Sequence, residues 1–378
     1  MHAPSAKHLT DAQRLSWLRL IRSENVGPRT FRNLLNYHGG AAAALDALPD
    51  LARRGGALIS PKICSVSDAE REIAGIEKLG GRLIALGEPE YPSALAAADG
   101  APPILSVIGN LECLSRPMVA IVGARNASAA GRSFAARIAR ELGDAGFTIS
   151  SGLARGIDAS AHEASLSTGT VAALAGGLDR IYPPENVPLL ARIVENSGAG
   201  LTEMPLGWEP RAQDFPRRNR IIAGLAMGVV IVEAALRSGS LITARLAAEL
   251  GREVMAAPGS PLDPRCEGSN KLLRDGATLI ASSEHVIEAL SGMLGRNLPP
   301  AALPVLAEPE HDMPPPVPNG EVRARVEELL GPSPAAVDDL IRMSGAPARL
   351  VHLILLELEL AGRLDRHAGG RVSLIDRL

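Results

Sequence analysis

Aromatic side chains, cysteines and net charge are all scarce in this chain of 378 residues. Aromatics make up only 2% of the residues, so a site built from several base-stacking rings is not expected, and any well-placed ring gains importance. The three cysteines, Cys64, Cys113 and Cys266, show neither CxxC spacing nor neighbouring histidines of a metal site. We therefore expect buried free thiols, with no disulfide framework and no metal.

The chain also lacks a strong charge of either sign and a long hydrophobic run. Its formal net charge is −3, so any affinity for nucleic acid must come from a local basic patch. The longest apolar run, residues 229 to 236, is broken by Glu233, and the first eight residues lack the apolar core of a signal peptide. No membrane segment is expected, and we predict a cytoplasmic protein with room for two or three domains.

Three strand-to-helix crossings organise the middle of the chain. Each begins with a β-branched run, near residues 119, 149 and 229, passes through glycine and small polar residues, and enters a helix-period pattern. Such apolar strands are buried on both faces, which predicts an α/β fold with a Rossmann-like, doubly wound, mostly parallel sheet. The loops should gather at the carboxyl ends of the strands, where helix N-termini favour phosphate. We expect a ligand with several phosphates there.

A basic stretch from residue 211 to residue 224 adds a second part of the site. Four arginines stand there against one acid, four minus one, a local charge of +3: Arg211, Arg217, Arg218, Arg220 and Asp214. Phe215 lies among them, and guanidiniums beside a ring suit a single strand, because cations follow its backbone while a base stacks. Alternatively, Phe215 is core and the arginines are a solvated helix start. Asn219 and Arg220, placed just before an apolar pair, favour the site.

Two smaller domains are predicted on either side of a central domain at residues 82–295. Residues 1–81 carry helix signals, among them a capping box at Ser67 and Glu70, and a turn at 26–28 that resembles a helix-hairpin-helix. A helical bundle without DNA contact is the favoured interpretation. Residues 296–318 form a proline-rich linker. Residues 319–378 follow a winged-helix order, with Ser333 as N-cap of the second helix and a turn at Gly369. The third helix is apolar with two acids, so protein contact or dimerisation is favoured over DNA reading.

Several long motifs in one fixed order resemble the DprA/Smf family of DNA-processing proteins. They are VAIVGAR (119–125), SGLARGIDASAH (151–162), GGLDRIYP (176–183), FPRRNRIIA (215–223), SGSLITA (238–244), PG (258–259) and GSNKLL (268–273). The resemblance covers about residues 87–290, and the flanking domains agree with the family's layout. It implies a Rossmann-like core that binds single-stranded DNA without sequence preference. It also implies a homodimer that loads the RecA recombinase in natural transformation.

Carried onto this sequence, the resemblance implies DNA-binding residues in four groups and no catalytic residue, cofactor or metal. They are Gly123, Ala124 and Arg125; Ser151, Gly152, Arg155 and Gly156; Phe215, Arg217, Arg218, Asn219 and Arg220; and Ser238, Gly239 and Ser240, with Lys271 from the last motif. The rim depends on arginine and contains no lysine, which preserves phosphate binding but alters its geometry.

The rival interpretation is a nucleotide-binding enzyme of the phosphoribohydrolase type, because such enzymes share a related fold. They carry a Pro-Gly-Gly-x-Gly-Thr-x-x-Glu loop, and Leu246 stands here where the acid would be. The first loop lacks GxGxxG and the chain has no Walker A sequence, so neither a dinucleotide nor ATP is expected. Asp158 is interpreted as a helix-terminal charge and His162 as a structural residue. We predict a protein that is not an enzyme.

Overall fold

The computed structural model describes residues 8–294, 320–367 and 369–375. The predicted proline-rich linker, 296–318, falls outside the described residues. Contacts divide the described residues into two compact units. One contains His8 and residues 71–294, and the other joins residues 9–70 to the described residues from 320 onward.

The described helices and strands are numbered in chain order. The first part comprises α1 (Asp11–Ile21), α2 (Pro28–His38), α3 (Ala41–Arg54), α4 (Val66–Lys78), β1 (Gly81–Ala85), α5 (Ser93–Ala96), β2 (Ile104–Gly109), β3 (Met118–Gly123), α6 (Ala129–Asp144), β4 (Thr148–Ser151) and α7 (Ile157–Ala164). The middle comprises β5 (Thr170–Ala173), α8 (Val187–Glu195), β6 (Ala199–Thr202), α9 (Asp214–Leu225), β7 (Gly228–Val232), α10 (Gly239–Glu249), β8 (Glu253–Ala256), α11 (Glu267–Arg274), β9 (Thr278–Leu279) and α12 (Ser283–Leu294). The last part comprises α13 (Gly320–Leu329), β10 (Ala335–Ala336), α14 (Val337–Ser344), α15 (Ala348–Leu360), β11 (Leu364–His367) and β12 (Arg371–Leu374).

The large unit is built on a nine-stranded sheet in the order β1-β2-β6-β5-β4-β3-β7-β8-β9. The seven strands β3 to β9 all run parallel to one another, whereas β1 pairs antiparallel with β2, and β2 pairs antiparallel with β6. After β3 the chain builds towards one edge, and after β7 it builds towards the other. This reversal is the switch point of a doubly wound sheet, beside which ligands bind. The predicted Rossmann-like, mostly parallel fold is confirmed.

The central strands are buried on both faces because they divide their side chains between two cores. Val119 and Ile121 pack in one core with Ile138 of α6, while Ala120 and Val122 pack in the other with residues of α9 and α10. Successive side chains of a strand point to opposite faces, so a continuous apolar run fills both cores at once. The parallel strands therefore stand out in the sequence.

One strand was missed and two local predictions were wrong. Residues 104–109 were not predicted as a strand, yet they form β2; the two preceding prolines suggested a loop, and an antiparallel strand near the edge tolerates them at its start. The capping interaction of α4 uses Ser65, whose hydroxyl accepts from the Asp68 amide at 3.1 Å, and not Ser67 with Glu70. The second winged-domain helix begins at Val337 after Ala336 and not after Ser333, because residues 335–336 pair with β12.

The small unit contains α1, α2, α3, the start of α4 and the C-terminal winged domain. A core of residues from α13, α14, α15 and the hairpin closes the winged domain, including Val326, Leu340, Ile354 and Val372. The hairpin β11–β12 has Gly369 and Gly370 in its turn, with φ of 73° and 68°, which favours glycine. The predicted winged-helix order is confirmed.

Candidate nucleic-acid interface

The loops that follow β3, β4 and β7 interlock at the switch point of the sheet. The Ile157 amide donates to the Ala124 carbonyl at 3.2 Å, and the Ala124 amide donates to the Val232 carbonyl at 3.3 Å. A Cβ on Gly123 would lie 1.8 Å from that Val232 oxygen, and a Cβ on Gly156, whose φ is 75°, would lie 2.3 Å from the Ala124 oxygen. Both glycines are therefore required by close backbone approach, which positions the residues around them.

Phe215, in the first turn of α9, is the centre of the site. The guanidinium carbons of Arg125 and Arg218 lie 5.5 Å and 5.8 Å from its ring centroid, and Tyr182 meets it edge-on at 5.5 Å. A small cavity of about 30 Å³ opens here, lined by Arg125, Gly152, Ala154, Arg155, Tyr182, Pro183, Phe215 and Arg218. The structure thus brings the first two loops and the basic stretch together. Aromatic and guanidinium groups meet at one cavity, as the sequence predicts.

Arg218 is buried although it is charged, since only 6% of the residue is exposed. Its Nη1 donates to the carbonyls of Gly152 and Ala173, the latter at 3.2 Å, and a Cβ on Gly152 would lie 1.7 Å from that nitrogen. Burial lowers the pKa of Arg218 to about 10; Asp158 opposes this shift and Arg125 adds to it. The guanidinium stays protonated at neutral pH and gives the cavity a fixed positive wall.

Carboxylates of the chain itself occupy two of the three helix N-termini that the sequence analysis expects to bind phosphate. At α6, Glu233 accepts from the Ser128 amide at 2.8 Å and from the Ser128 hydroxyl. At α7, Asp158 accepts from the Gly152 and Ala154 amides at 3.1 Å and 3.4 Å, as expected of a helix-terminal charge. Burial raises the pKa of the Asp158 carboxyl, whereas Arg218 and the two amides oppose that shift. These three amides are therefore engaged within the protein, and the expected phosphate ligand stays a prediction.

The third N-terminus, that of α10, is capped by hydroxyl groups. The Ser238 Oγ accepts from the Ser240 amide at 3.3 Å, and the two serine hydroxyls lie 2.7 Å apart. Asn219 of α9 donates from Nδ2 to the Gly239 carbonyl at 3.2 Å, which ties the basic stretch to this loop. A Cβ on Gly239 would meet nothing within 4 Å, so the loop is open at that point.

The remaining predicted residues divide into exposed and structural side chains. Arg155 is exposed and pairs with Glu185, and the exposed Arg217 lies 4.0 Å from Asp214. Arg220 instead donates to the Gly100 carbonyl and to Glu203, with 23% of its side chain exposed. Other predicted residues lie apart from the cavity: Ser151 is fully buried and donates to the Ile121 carbonyl at 2.6 Å, and Lys271 is exposed on α11 with no described contact to the Phe215 cluster.

His162 is a structural residue, as predicted. Its Nδ1 lies 2.7 Å from the Thr170 hydroxyl, which itself donates to the Ile149 carbonyl at 2.8 Å, so the ring Nδ1–H is the donor. Burial lowers the pKa of His162 to about 3, with a smaller contribution from Arg218. The ring is therefore neutral inside the core at physiological pH.

Sequence reasoning missed Ala154, Tyr182 and Pro183 as lining residues. The motif that contains Tyr182 and Pro183 was used only as a mark of family resemblance. Tyr182 is 47% exposed and lies beside the ring of Phe215. The signal in the sequence was the presence of an aromatic residue in this motif of a chain that contains few aromatics.

Neither a membrane span nor a metal cluster was found in the described part of the chain. No helix there is long and apolar enough to cross a bilayer. No group of three or more histidine, cysteine, aspartate or glutamate residues among those described could hold a metal ion.

Comparison with known proteins gives matches along the chain. The family described as DNA recombination-mediator protein A matches residues 82–291, the DprA-like N-terminal HHH domain matches 11–75, and the DprA winged helix domain matches 309–370. Protein Smf of Escherichia coli is 41% identical over 308 residues, covering 81% of this chain and 80% of that protein. The chain belongs to the DprA/Smf family. The resemblance inferred from the motifs is confirmed.

Solved structures of two family members are similar to this chain. The crystal structure of DNA processing protein A from Streptococcus pneumoniae has a TM-score of 0.61 and 32% identity, and covers 75% of this chain and 98% of that one. DNA processing protein A from Helicobacter pylori, whose structure is described for its single-stranded DNA binding mode, has a TM-score of 0.51 and 29% identity over 56% and 96% of the two chains. Both structures share the fold of this chain over the regions that they cover.

Proposed function

We propose that this DprA/Smf protein binds single-stranded DNA without sequence preference at the cavity around Phe215. The observation that carries the proposal is the pair of guanidiniums, Arg125 exposed and Arg218 buried, on one half-buried ring at the switch point of the sheet. Cations that follow the sugar-phosphate backbone beside a ring that stacks a base suit single strands of any sequence. The single-stranded DNA binding described for the Helicobacter pylori relative supports the same assignment.

DNA-binding roles are proposed for all of the predicted residues that reach the cavity or its exposed rim. Arg125, Arg155 and Arg217 would contact phosphates, and Phe215 would stack a base. Arg218 would act from its buried position through its charge. For Ser151, Asn219 and Arg220 we propose a supporting role, since each donates a hydrogen bond within the protein.

No chemical step is proposed. The two carboxylates nearest the loops, Asp158 and Glu233, both accept hydrogen bonds from backbone amides, so each has a structural role in the described part of the chain. We infer a protein without a cofactor that handles DNA without cleaving it. Incubation with nucleoside monophosphates, followed by chromatography for the free base, tests this inference; released base would favour the phosphoribohydrolase alternative.

Partners beyond DNA follow from family membership and are proposals. We infer that a cytoplasmic homodimer loads the RecA recombinase onto the bound strand in natural transformation and recombination. The domains would be residues 1–81, 82–295 and 319–378, joined by the linker at 296–318. Light scattering tests the dimer, and a RecA strand-exchange assay with the purified protein tests loading.

The decisive experiment is fluorescence anisotropy of labelled oligo-dT and of a duplex of equal length, with the wild type and Arg125→Ala. We expect tight binding of the single strand, weak binding of the duplex, and a loss of about tenfold or more in Arg125→Ala, which removes one charge-assisted contact worth roughly 1.5–3 kcal/mol. The cavity assignment fails if Arg125→Ala binds oligo-dT like the wild type.

Arg137→Ala is the matched control. Arg137 of α6 is also an arginine set against a phenylalanine ring, with its guanidinium carbon 5.3 Å from the centroid of Phe134, but it does not line the cavity. The control variant loses the same charge and the same kind of contact. Equal losses in the two variants would show that only net charge matters.

A further inference from the structure

The third helix of the winged domain, α15, presents two apolar faces. Val351, Ile354, Leu355 and Leu358 belong to the core of the winged domain itself. The leucines at 353, 356 and 360 are also buried, with at most 1% exposure, but they do not belong to that core. A helix buried on both sides must have a second partner.

That partner is the α2–α3 pair at the other end of the chain. The Thr30 hydroxyl of α2 donates to Glu359 at 2.8 Å, and the Tyr37 hydroxyl donates to the Arg349 carbonyl at 2.8 Å. After α3, a Cβ on Gly55 would lie 1.9 Å from the Glu357 carbonyl oxygen, so the two backbones touch. The Arg363 guanidinium closes the contact by donating to the Gly55 carbonyl at 3.0 Å.

A buried charge lies within this contact. Glu357 has no exposed surface, and its carboxylate pairs with Arg54 of α3 at 3.0 Å and with Arg323 of α13. A buried carboxylate that loses one cationic partner is strongly destabilised. The acids on this face would repel DNA phosphates, and its leucines offer them no hydrogen-bond donor. The same side chains are complementary to the arginine, threonine and alanine side chains of the helix pair.

We propose that α15 is a protein-docking face that is committed to the chain's own α2–α3 pair and does not enter a DNA groove. The N-terminal helices and the winged domain would then unfold and refold together, as one cooperative unit. This proposal is independent of the cavity around Phe215, which lies in the other unit. It assigns the winged domain a definite partner, the N-terminal helices, in place of duplex DNA.

Hydrogen exchange of the full chain tests the proposal with two neighbouring arginines. Arg54→Met removes a partner of Glu357, whereas Arg53→Met removes a surface pair with Asp50, in which the Arg53 side chain is 74% exposed. We expect Arg54→Met to accelerate exchange of α3 and α15 amides together by ~10-fold or more, with β3 and β7 unchanged. Arg53→Met should stay within about twofold of the wild type.

Exchange that rises in only one of the two segments, or in neither, would overturn the cooperative unit. If Arg54→Met does not fold, Thr30→Val removes only the bond to Glu359 and gives the same readout with a smaller acceleration in both segments. Duplex binding by anisotropy completes the test: we expect no gain in Arg54→Met or Thr30→Val. A gain of ~10-fold or more would show that the contact masks a DNA-reading helix, which contradicts the docking assignment.

Discussion

Alanine substitutions of Arg125 and Arg220 should separate phosphate contact from structural support. Arg125 is exposed over Phe215, whereas Arg220 is engaged by the Gly100 carbonyl and Glu203. Each phosphate contact on a single strand contributes about 0.7 to the slope of log K against log salt concentration. We expect Arg125→Ala to flatten that slope by about 0.7. Arg220→Ala should leave the slope unchanged and lower the unfolding midpoint of the large unit by roughly 2–6 °C, since it loses charge-assisted hydrogen bonds.

The measurement is oligo-dT anisotropy at four or more salt concentrations, paired with thermal unfolding of the same preparations. The two variants remove the same charge, so a general electrostatic effect would flatten both slopes equally. That result would refute the assignment of Arg220 to a supporting role. A fall in unfolding temperature for Arg125→Ala, with an unchanged slope, would refute the phosphate contact.

Three further outcomes follow from the contacts described above. When the pH falls from 7.5 to 5.0, the wild type should lose about 2 kcal/mol more unfolding free energy than His162→Phe. The pKa of His162 is about 3 in the folded state and 6.5 in the unfolded state, so its protonation favours the unfolded state as the pH falls below 6.5. Urea unfolding at both pH values measures the difference. Gly152→Ala should displace Arg218 and weaken oligo-dT binding about tenfold or more. Gly239→Ala adds a methyl group in open space, so its affinity for oligo-dT should stay within about twofold of the wild type. Equal losses in the two variants would mean that DNA approaches the α10 backbone. Glu233→Ala should lower the unfolding free energy by about 1–3 kcal/mol, while an unchanged value would deny the capping role at Ser128.

The strands that the sequence predicts well are those buried on both faces. β3 and β7 are continuous apolar runs because they fill two cores at once, and each begins within one residue of its predicted start at 119 or 229. β2 gave a weaker signal, since it follows two prolines and pairs antiparallel near the sheet edge. The pairing of β2 with β1 and β6 depends on tertiary contacts, and these cannot be predicted from the local sequence pattern.

The sequence located the basic stretch but could not divide its arginines by role. Arg217, Arg218 and Arg220 are nearly consecutive on α9, where each step turns the side chain by about 100°. Arg217 is exposed to solvent, Arg218 is buried, and the partly buried Arg220 pairs with Glu203. Their partners decide the roles, and these lie far along the chain: Gly152 is 66 residues from Arg218, and Glu203 is 17 residues from Arg220.

The carboxylates at two helix ends explain why the site relies on arginine. In many doubly wound folds the free amides of a helix N-terminus hold a phosphate. Here Glu233 accepts from the Ser128 amide at the start of α6, and Asp158 accepts from the Gly152 and Ala154 amides of the loop before α7, so a phosphate there would meet a carboxyl group. At these two loops positive charge must therefore come from side chains, and a guanidinium can reach outward from a loop whose backbone amides are already bonded. For the proposed single-stranded DNA, side-chain contacts suit the repeating phosphates better than a rigid amide cradle, which would fix one phosphate in one position.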